Sequence, residues 1–224
     1  MRVCIVFISI LLLSYSCKDG KKYHDEKGDT QEKIEVTAQV PNNPFDQAVL
    51  FQKEINKEFA DPNSSPLKKK DLASFKKLDF FPIDTSFSVI AEFRRTPNEQ
   101  PFLMPTTTER MSQEVLFGVV SFELNGQEFE LNVYQNLQLR ETEEFRDYLF
   151  LPFSDLTNGQ ETYGGGRYLD LTIPQGDSIV LNFNKAYNPY CAYNEKYSCP
   201  IVPKENNLDY AIKAGVKKFN KPKA

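Results

Sequence analysis

Apolar residues between positions 48 and 59 recur at the spacing of a single helix face. They are Ala48, Phe51, Ile55 and Phe59. Lysine and glutamate occupy the opposite face, so the pattern predicts an amphipathic helix that begins at Phe45 and ends at Asp61-Pro62. Ser65-Pro66 then favours a second, short helix over residues 67–77, because serine caps helix ends and proline is tolerated at the first helical position. Together the two helices would form an N-terminal helical hairpin.

After Pro82 the apolar period changes from that of a helix to the two-residue period of a half-buried strand. Alternating or short apolar segments predict strands over residues 87–93, 101–105, 115–124, 127–134, 149–153, 168–173, 178–183 and 208–212. The strongest local signal is Asn125-Gly126, the favoured two-residue hairpin turn, because apolar residues alternate on both sides of it. We therefore predict a mainly β (α+β) domain, an antiparallel sandwich or barrel-like sheet of about seven or more strands with the helical hairpin on one side.

The first 16 residues have the pattern of an export signal. Arg2 precedes an apolar run from Val3 to Leu13, which is too short to span a bilayer comfortably, and small residues precede Cys17. The Leu-Ser-Tyr-Ser-Cys run resembles a bacterial lipoprotein signal, which implies that Cys17 is the lipidated first residue of the mature chain and anchors it to a membrane. The alternative is ordinary secretion with a leftover cysteine.

A polar segment separates this signal peptide, residues 1–16, from the folded domain. Residues 17–44 are rich in Lys, Asp, Glu, Gly, Gln and Asn, and such a segment cannot bury enough apolar surface to offset the entropy of ordering it. We interpret it as a disordered tether. Residues 45–219 would then form a single domain and residues 220–224 a tail, exported to the bacterial cell envelope and facing the periplasm or the cell surface.

Composition excludes several kinds of chemistry. The 27 Lys and Arg residues against 31 Asp and Glu residues give a net charge of −4, so no broad basic field exists to attract nucleic acid, and we predict no nucleic-acid partner. The single histidine, His24, lies in the predicted tether. Histidine-based acid–base or metal chemistry is therefore not expected in the domain, and we predict no metal and no cofactor.

Polar side chains suited to ligand binding are concentrated around three consecutive glycines, Gly164–Gly166. The candidate ligand-binding residues are Asp155, Glu161, Thr162, Tyr163 and Arg167, with Asn188 from the asparagine-rich segment that follows. Glycine allows a sharp turn and a close approach of ligand to backbone, and Arg167 offers a planar set of donors for a carboxylate or phosphate. The structural alternative is that Asp155 satisfies turn backbone groups and pairs with Arg167 to fix the loop.

Two cysteines, Cys191 and Cys199, lie eight residues apart in an aromatic, turn-prone segment. In an exported protein such a pair most often forms a disulfide, which would stabilise the fold by about 2–3 kcal/mol in the loop-entropy description. Free buried thiols, and metal or redox chemistry, are the alternatives. The neighbouring asparagines either hold irregular backbone in place or recognise a neutral polar ligand.

Four segments of this region carry a resemblance to a known family. They read GRYLDL, LNFNKAYNPYCAY, CPIVPKENNL and IKAG, and they resemble DUF1684, a bacterial family of exported and cytoplasmic proteins, over roughly residues 51–218. The family pattern usually continues Ala-Gly-Glu-Lys, whereas this chain has Val216 in place of the acidic residue. The resemblance implies where a site would lie but no activity. Cytoplasmic members keep the cysteine pair, which leaves redox or metal chemistry open.

These observations favour a non-enzymatic lipoprotein of the cell envelope. We predict that it binds a small polar or anionic ligand, or an envelope partner, on a surface formed by Tyr163, Arg167 and Asn188. The alternative is a hydrolase-like enzyme in which Asp155 or Glu161 acts as general base near Arg167, which requires a carboxylate with a raised pKa in a cleft. A purely structural role is the third hypothesis. The binding hypothesis requires the two polar loops to share one face.

Overall fold

Helix α1 (Pro44–Ala60) forms where the helical spacing predicts it. In this computed structural model, which describes residues 43–220, the Asn43 side chain accepts a hydrogen bond of 2.8 Å from the backbone N–H of Asp46 and so caps the helix. The apolar face is buried against the sheet, with Ile55 and Phe59 in the core between them. The predicted signal peptide, Cys17 and residues 17–42 of the tether lie outside the described residues.

The second predicted helix is much shorter than residues 67–77, because only α2 (Lys69–Leu72) is helical. Beyond it the chain is extended and pairs with distant segments. The backbone N–H of Leu78 donates to Asn56 Oδ1 of α1 at 2.7 Å, and Phe80 forms an antiparallel bridge with Val216. These tertiary hydrogen bonds override the weak local preference for helix.

Seven strands form one antiparallel sheet, which confirms the mainly β prediction. The strands are β1 (Ser88–Arg95), β2 (Phe102–Pro105), β3 (Met111–Leu124), β4 (Gln127–Asn136), β5 (Tyr148–Phe153), β6 (Arg167–Thr172) and β7 (Ser178–Asn182). Their order is β6-β5-β4-β3-β1-β7, with β2 paired to β3. The sheet curls into a half-barrel with β6 and β7 at its two edges. The segment 208–212, predicted as a further strand, is not one.

The β3–β4 hairpin turns at Asn125-Gly126, as predicted. Both residues have positive φ, 50° and 82°, which is the conformation of the tight turn that matches the twist of a hairpin. The apolar residues on either side then face each other, with Phe122 opposite Phe129. A bulge between Leu116 and Gly118 shifts the register of β3 further along the same pair.

The sheet has a core on each face. On one face the sheet is covered by the chain that follows β7, which we call the C-terminal segment. Its residues Phe183, Leu208 and Ile212 pack among side chains of β1, β3, β4, β5 and β6. On the other face α1 packs with a group of tyrosines, including Tyr168 and Tyr193. The described residues contain no helix with the length and apolar character needed to cross a membrane.

One asparagine side chain takes the place of backbone pairing between β4 and β5. These strands share a single residue pair, Tyr134 with Phe150. Beside it, Asn206 Nδ2 donates to the carbonyls of Asn132 at 2.8 Å and Pro152 at 2.6 Å. Asn206 Oδ1 accepts from the Asn132 N–H at 2.9 Å. This fully buried amide therefore fixes the C-terminal segment to the sheet.

Candidate functional site

The two polar loops that were expected to share one face are in contact. They are the loop between β5 and β6 and the segment that follows β7. The Tyr163 hydroxyl of the first is 3.9 Å from Cys191 Sγ of the second, and Tyr168 and Tyr187 exchange backbone hydrogen bonds of 2.9 and 3.1 Å. The loops therefore form one continuous surface at the β6 edge of the sheet.

Arg167 points into this surface rather than out of it. Its side chain is 0% exposed, and its Nη2 lies 2.8 Å from Oδ2 of Asp155, which is also 0% exposed. The same nitrogen donates to the Ile212 carbonyl at 2.8 Å, and Nη1 donates to the Ala214 carbonyl. Burial lowers the pKa of Arg167, and the Asp155 carboxylate counteracts that fall. The guanidinium therefore fixes the C-terminal segment to the first loop.

The remaining oxygen of Asp155 is also occupied by protein donors. Oδ1 accepts from the backbone N–H of Thr157 at 2.8 Å and from that of Ile212 at 3.3 Å. With Arg167 on Oδ2, the carboxylate accepts three hydrogen bonds inside the protein. These contacts hold the carboxylate in one orientation, which matches the structural alternative that the sequence left open.

Thr162 and the glycines shape the turn between these two charges. Thr162 Oγ1 is 2.8 Å from Thr157 Oγ1 and accepts from Asn158 Nδ2 at 2.8 Å, all within the loop. Gly166 has φ of 88°, and a Cβ there would lie 2.7 Å from the Phe153 carbonyl oxygen. Glycine is therefore required at this position by conformation and by space.

Glu161 is at the surface. Its carboxylate is 3.5 Å from Lys213 Nζ, with both side chains about half exposed at 45% and 58%. Its backbone carbonyl accepts from the Lys218 N–H at 3.0 Å. The side chain therefore forms a solvated ion pair beside the loop, a type of interaction that contributes little to stability.

Asn188 is buried and braces the end of the chain. Its Nδ2 donates to the Lys217 carbonyl at 2.9 Å and to the Tyr193 hydroxyl at 3.2 Å. Among residues 43–220, its Oδ1 meets no hydrogen-bond donor. Of the six candidate residues, Tyr163 and Glu161 are therefore accessible from this surface, whereas Asp155, Thr162, Arg167 and Asn188 lie beneath it.

The two cysteines are neighbours with unequal exposure. Cys191 is partly exposed and Cys199 is fully buried, and both are free thiols here. The Cys191 backbone N–H donates to Cys199 Sγ at 3.2 Å, and the Cys199 N–H donates to Thr107 Oγ1 at 3.1 Å. The spatial proximity that a disulfide requires is present, and the disulfide itself stays a prediction.

The electrostatic environment separates the acidities of these thiols. A hydrogen bond from Cys199 lowers the pKa of Cys191 to about 7, with help from the hydroxyls of Tyr163 and Thr107 and against the effect of burial. The same hydrogen bond, together with burial, raises the pKa of Cys199 well above its ordinary value. Burial first, and then the adjacent Cys191, raises the pKa of Tyr163 to about 12. Tyr163 therefore stays protonated at neutral pH, and its hydroxyl is able to donate to a Cys191 thiolate.

A polar cluster that the sequence reasoning missed lies next to the cysteines. Arg110 Nε donates to Ser198 Oγ at 2.9 Å, and Arg110 Nη2 donates to the Ser198 carbonyl at 3.0 Å. The hydroxyls of Thr106 and Thr108 lie 2.9 and 2.7 Å from Ser198 Oγ. We call these four residues the Arg110 cluster. The available signal was the Thr-Thr-Thr-Glu-Arg run that follows β2.

Comparison with known proteins assigns the chain to a family. Residues 73–217 match DUF1684, which is described as a protein of unknown function. The chain belongs to the DUF1684 family. The solution NMR structure of an uncharacterised protein from Haloarcula marismortui is similar to this DUF1684 domain, with a TM-score of 0.61 and 31% identity over 77% of this chain and 93% of that one. No curated protein matches the sequence.

The titratable groups of this DUF1684 domain do not converge as metal ligands. Within residues 43–220, no three His, Cys, Asp or Glu side chains are grouped so that they could hold a metal ion. The chemistry that the surface does offer is a positioned guanidinium, several hydroxyls and the Cys191 thiol, with the Cys199 thiol buried beneath it.

Proposed function

We propose that this DUF1684 chain is a non-enzymatic domain of the cell envelope that binds a small anionic ligand at the Arg110 cluster, beside Tyr163. The observation that carries the proposal is the position of Arg110. Two nitrogens of its guanidinium are held by the hydroxyl and carbonyl oxygens of Ser198. A guanidinium held in one orientation offers its positive charge to a carboxylate or phosphate without first losing side-chain freedom.

The charge of Arg110 acts on the buried groups around it. Burial raises the pKa of Tyr168, and the Arg110 charge counteracts part of that rise. Hydrogen bonding to Cys191 and burial raise the pKa of Cys199, and the Arg110 charge lowers it. A positive potential therefore extends from the Arg110 cluster toward the cysteines, and an anion at this surface would experience it.

In this proposal the cationic ligand contact moves from Arg167 to Arg110. Arg167 binds Asp155 and two backbone carbonyls in the interior, so it supports the loop from below. Tyr163 keeps the role expected of it, as a hydroxyl and an aromatic wall beside the ligand. Glu161 and its Lys213 partner would lie at the outer margin of the same loop.

The envelope location is part of the proposal, and it rests on the pattern of residues 1–16 and on Cys17. The test is metabolic labelling with radioactive palmitate in a bacterial host. We expect the wild-type chain to carry label and to fractionate with membranes, and Cys17→Ser to lose both properties. Label that persists in Cys17→Ser, or a wild-type chain recovered without lipid, would count against the anchor.

The binding test uses thermal unfolding of the purified chain with inorganic phosphate, and in parallel with succinate. A ligand at a concentration of 100 times its Kd stabilises the folded state by about 2.7 kcal/mol. We expect one of these anions to stabilise the wild type and Arg140→Gln, an exposed-arginine control, but not Arg110→Gln. Equal stabilisation of both variants, or no response of the wild type to either anion, would refute binding at the Arg110 cluster and favour a structural role.

The hydrolase alternative gains no support from this geometry. The Asp155 carboxylate is buried and already accepts hydrogen bonds from Arg167, Thr157 and Ile212. A general base needs a lone pair within reach of a substrate proton. Glu161, the other carboxylate in that hypothesis, is an exposed member of an ion pair.

A further inference from the structure

We propose that Cys191 and Cys199 form a thiol–disulfide exchange site, in which Cys191 attacks a small-molecule disulfide and Cys199 resolves the resulting mixed disulfide. This goes beyond anion binding, because it assigns a reaction to the same surface. It also goes beyond a static disulfide, because it specifies which sulfur reacts first and with what class of compound.

The unequal exposure of the two sulfurs sets the order of reaction. Cys191 is partly exposed, whereas Cys199 is 0% exposed. An external disulfide can therefore reach Cys191 and cannot reach Cys199 directly. The Tyr163 hydroxyl lies 3.9 Å from Cys191 Sγ, which narrows the approach and favours a small compound over a folded protein.

The backbone around the two cysteines differs in a way that suits these roles. Cys199 is fixed on both sides of its peptide by Thr107, whose N–H donates to the Cys199 carbonyl at 2.9 Å and whose Oγ1 accepts from the Cys199 N–H at 3.1 Å. Cys191 lies in a single 3-10 turn (Tyr190–Ala192). The Cys191 N–H is already 3.2 Å from Cys199 Sγ, so the second sulfur lies next to the residue on which the mixed disulfide would form.

Hydrogen bonds supply the activation that the first step needs, since the thiolate is the nucleophile. The Cys199 thiol and the Tyr163 and Thr107 hydroxyls lower the pKa of Cys191 from its ordinary value of 9.0 to about 7. At pH 7 this raises the thiolate fraction by about 50-fold, and the weaker nucleophilicity of a more acidic thiol reduces the gain to roughly sixfold. Cys199, with its raised pKa, provides almost no thiolate.

In the proposed reaction the disulfide compound R–S–S–R′ is the oxidant. The Cys191 thiolate forms a bond to one sulfur of this compound while the S–S bond breaks, and R′–S⁻ leaves and takes up the proton released from Cys191. The Cys199 thiol then loses its proton and attacks Cys191 Sγ, and R–S⁻ leaves with that proton. The compound is reduced to two thiols, and the two cysteines are oxidised to a disulfide.

The test treats the purified, reduced full chain with glutathione disulfide and follows each cysteine by acid quenching and peptide mass mapping. Mapping separates Cys191 and Cys199 from Cys4 and Cys17. We expect glutathione to appear first on Cys191, about three- to sixfold faster than on an unstructured thiol at pH 7, and then to leave as the Cys191–Cys199 disulfide forms. Glutathione on Cys199 first, or no reaction at either residue, would overturn the proposal.

Single substitutions test which cysteine attacks the disulfide compound and which one resolves the mixed disulfide. Cys199→Ser should stop at the mixed disulfide on Cys191, whereas Cys191→Ser should react far more slowly than the wild type. Tyr163→Phe should move the pH midpoint of Cys191 alkylation upward, and Tyr210→Phe, whose hydroxyl instead accepts from Asn125, should not. Equal trapping of glutathione by both cysteine variants would contradict the assignment. If a variant does not fold, the order observed in the wild type decides.

Discussion

Removal of the Arg167 guanidinium is the sharpest test of how this fold is held together. In Arg167→Met the hydrogen bonds to Asp155, Ile212 and Ala214 are lost together. The Asp155 carboxylate stays buried and keeps only two backbone N–H donors. Deletion of one partner of a buried ion pair typically costs about 3–5 kcal/mol, because the other charge is left uncompensated.

This magnitude converts into a measurable shift of the melting temperature. For a domain of this size each kcal/mol corresponds to about 2–4 °C, so we expect Arg167→Met to melt roughly 6–20 °C below the wild type. Arg140 provides the matched control. It is 43% exposed and pairs at 3.4 Å with the adjacent, exposed Glu141, so Arg140→Met should change stability by less than about 1 kcal/mol.

Urea denaturation followed by circular dichroism measures both variants and completes a double-mutant cycle with Asp155→Leu. The double variant removes both charges, so its loss should be clearly smaller than the sum of the two single losses. The reasoning is refuted if Arg167→Met matches the wild type within 1 kcal/mol while anion-dependent stabilisation disappears. That result would make Arg167 a ligand contact rather than a support.

Three further predictions concern buried groups. Burial raises the pKa of Glu114, so the stabilising contribution of this side chain is complete below its unfolded-state pKa and is lost as pH rises through its folded-state pKa. Glu114→Gln should therefore be more stable than the wild type at pH 8. Urea titrations should show this difference in stability closing toward pH 4. Gly166→Ala should cost about 1–3 kcal/mol from positive φ and collision, whereas Gly176→Ala, where an added Cβ meets no atom within 4 Å, should melt like the wild type. Asn206→Ala should cost about 3 kcal/mol of stability, because three buried hydrogen bonds are lost. The exposed neighbour provides the control, since Asn207→Ala should cost under 1 kcal/mol. Similar losses for the two members of either glycine or asparagine pair would contradict these assignments.

The strands were predictable from sequence because each carries its own signal. Alternation gives the buried face of a strand, and Asn125-Gly126 fixes the register of the central hairpin. Residues 208–212 alternate in the same way, with Leu208 and Ile212 buried, yet they form no strand. Alternation reports burial and does not report hydrogen-bond partners, which here are Ser154, Asp155 and Leu156 of the segment after β5.

The meeting of the two polar loops was also predictable, but the direction of Arg167 was not. Its partners Ile212 and Ala214 lie 45 and 47 residues away in the chain, and nothing in the local sequence indicates whether a guanidinium faces them or solvent. Arg110 escaped notice for the same reason, because Ser198 is 88 residues away. Long-range polar partners are set by topology, which a single sequence describes only coarsely.

The irregular C-terminal segment connects the buried polar network to the accessible surface. It has few ladder hydrogen bonds, so side chains such as Arg167, Asn188 and Asn206 satisfy its backbone carbonyls or those of the strands beside it. Each of these groups is buried, and its geometry is fixed by several partners at once. The partly exposed Cys191 lies three residues after Asn188, whose bond to the Lys217 carbonyl helps to fix the backbone that carries the Cys191 sulfur beside Tyr163. In this DUF1684 domain, polar residues beneath the surface therefore hold the backbone on which the accessible groups of the two loops lie.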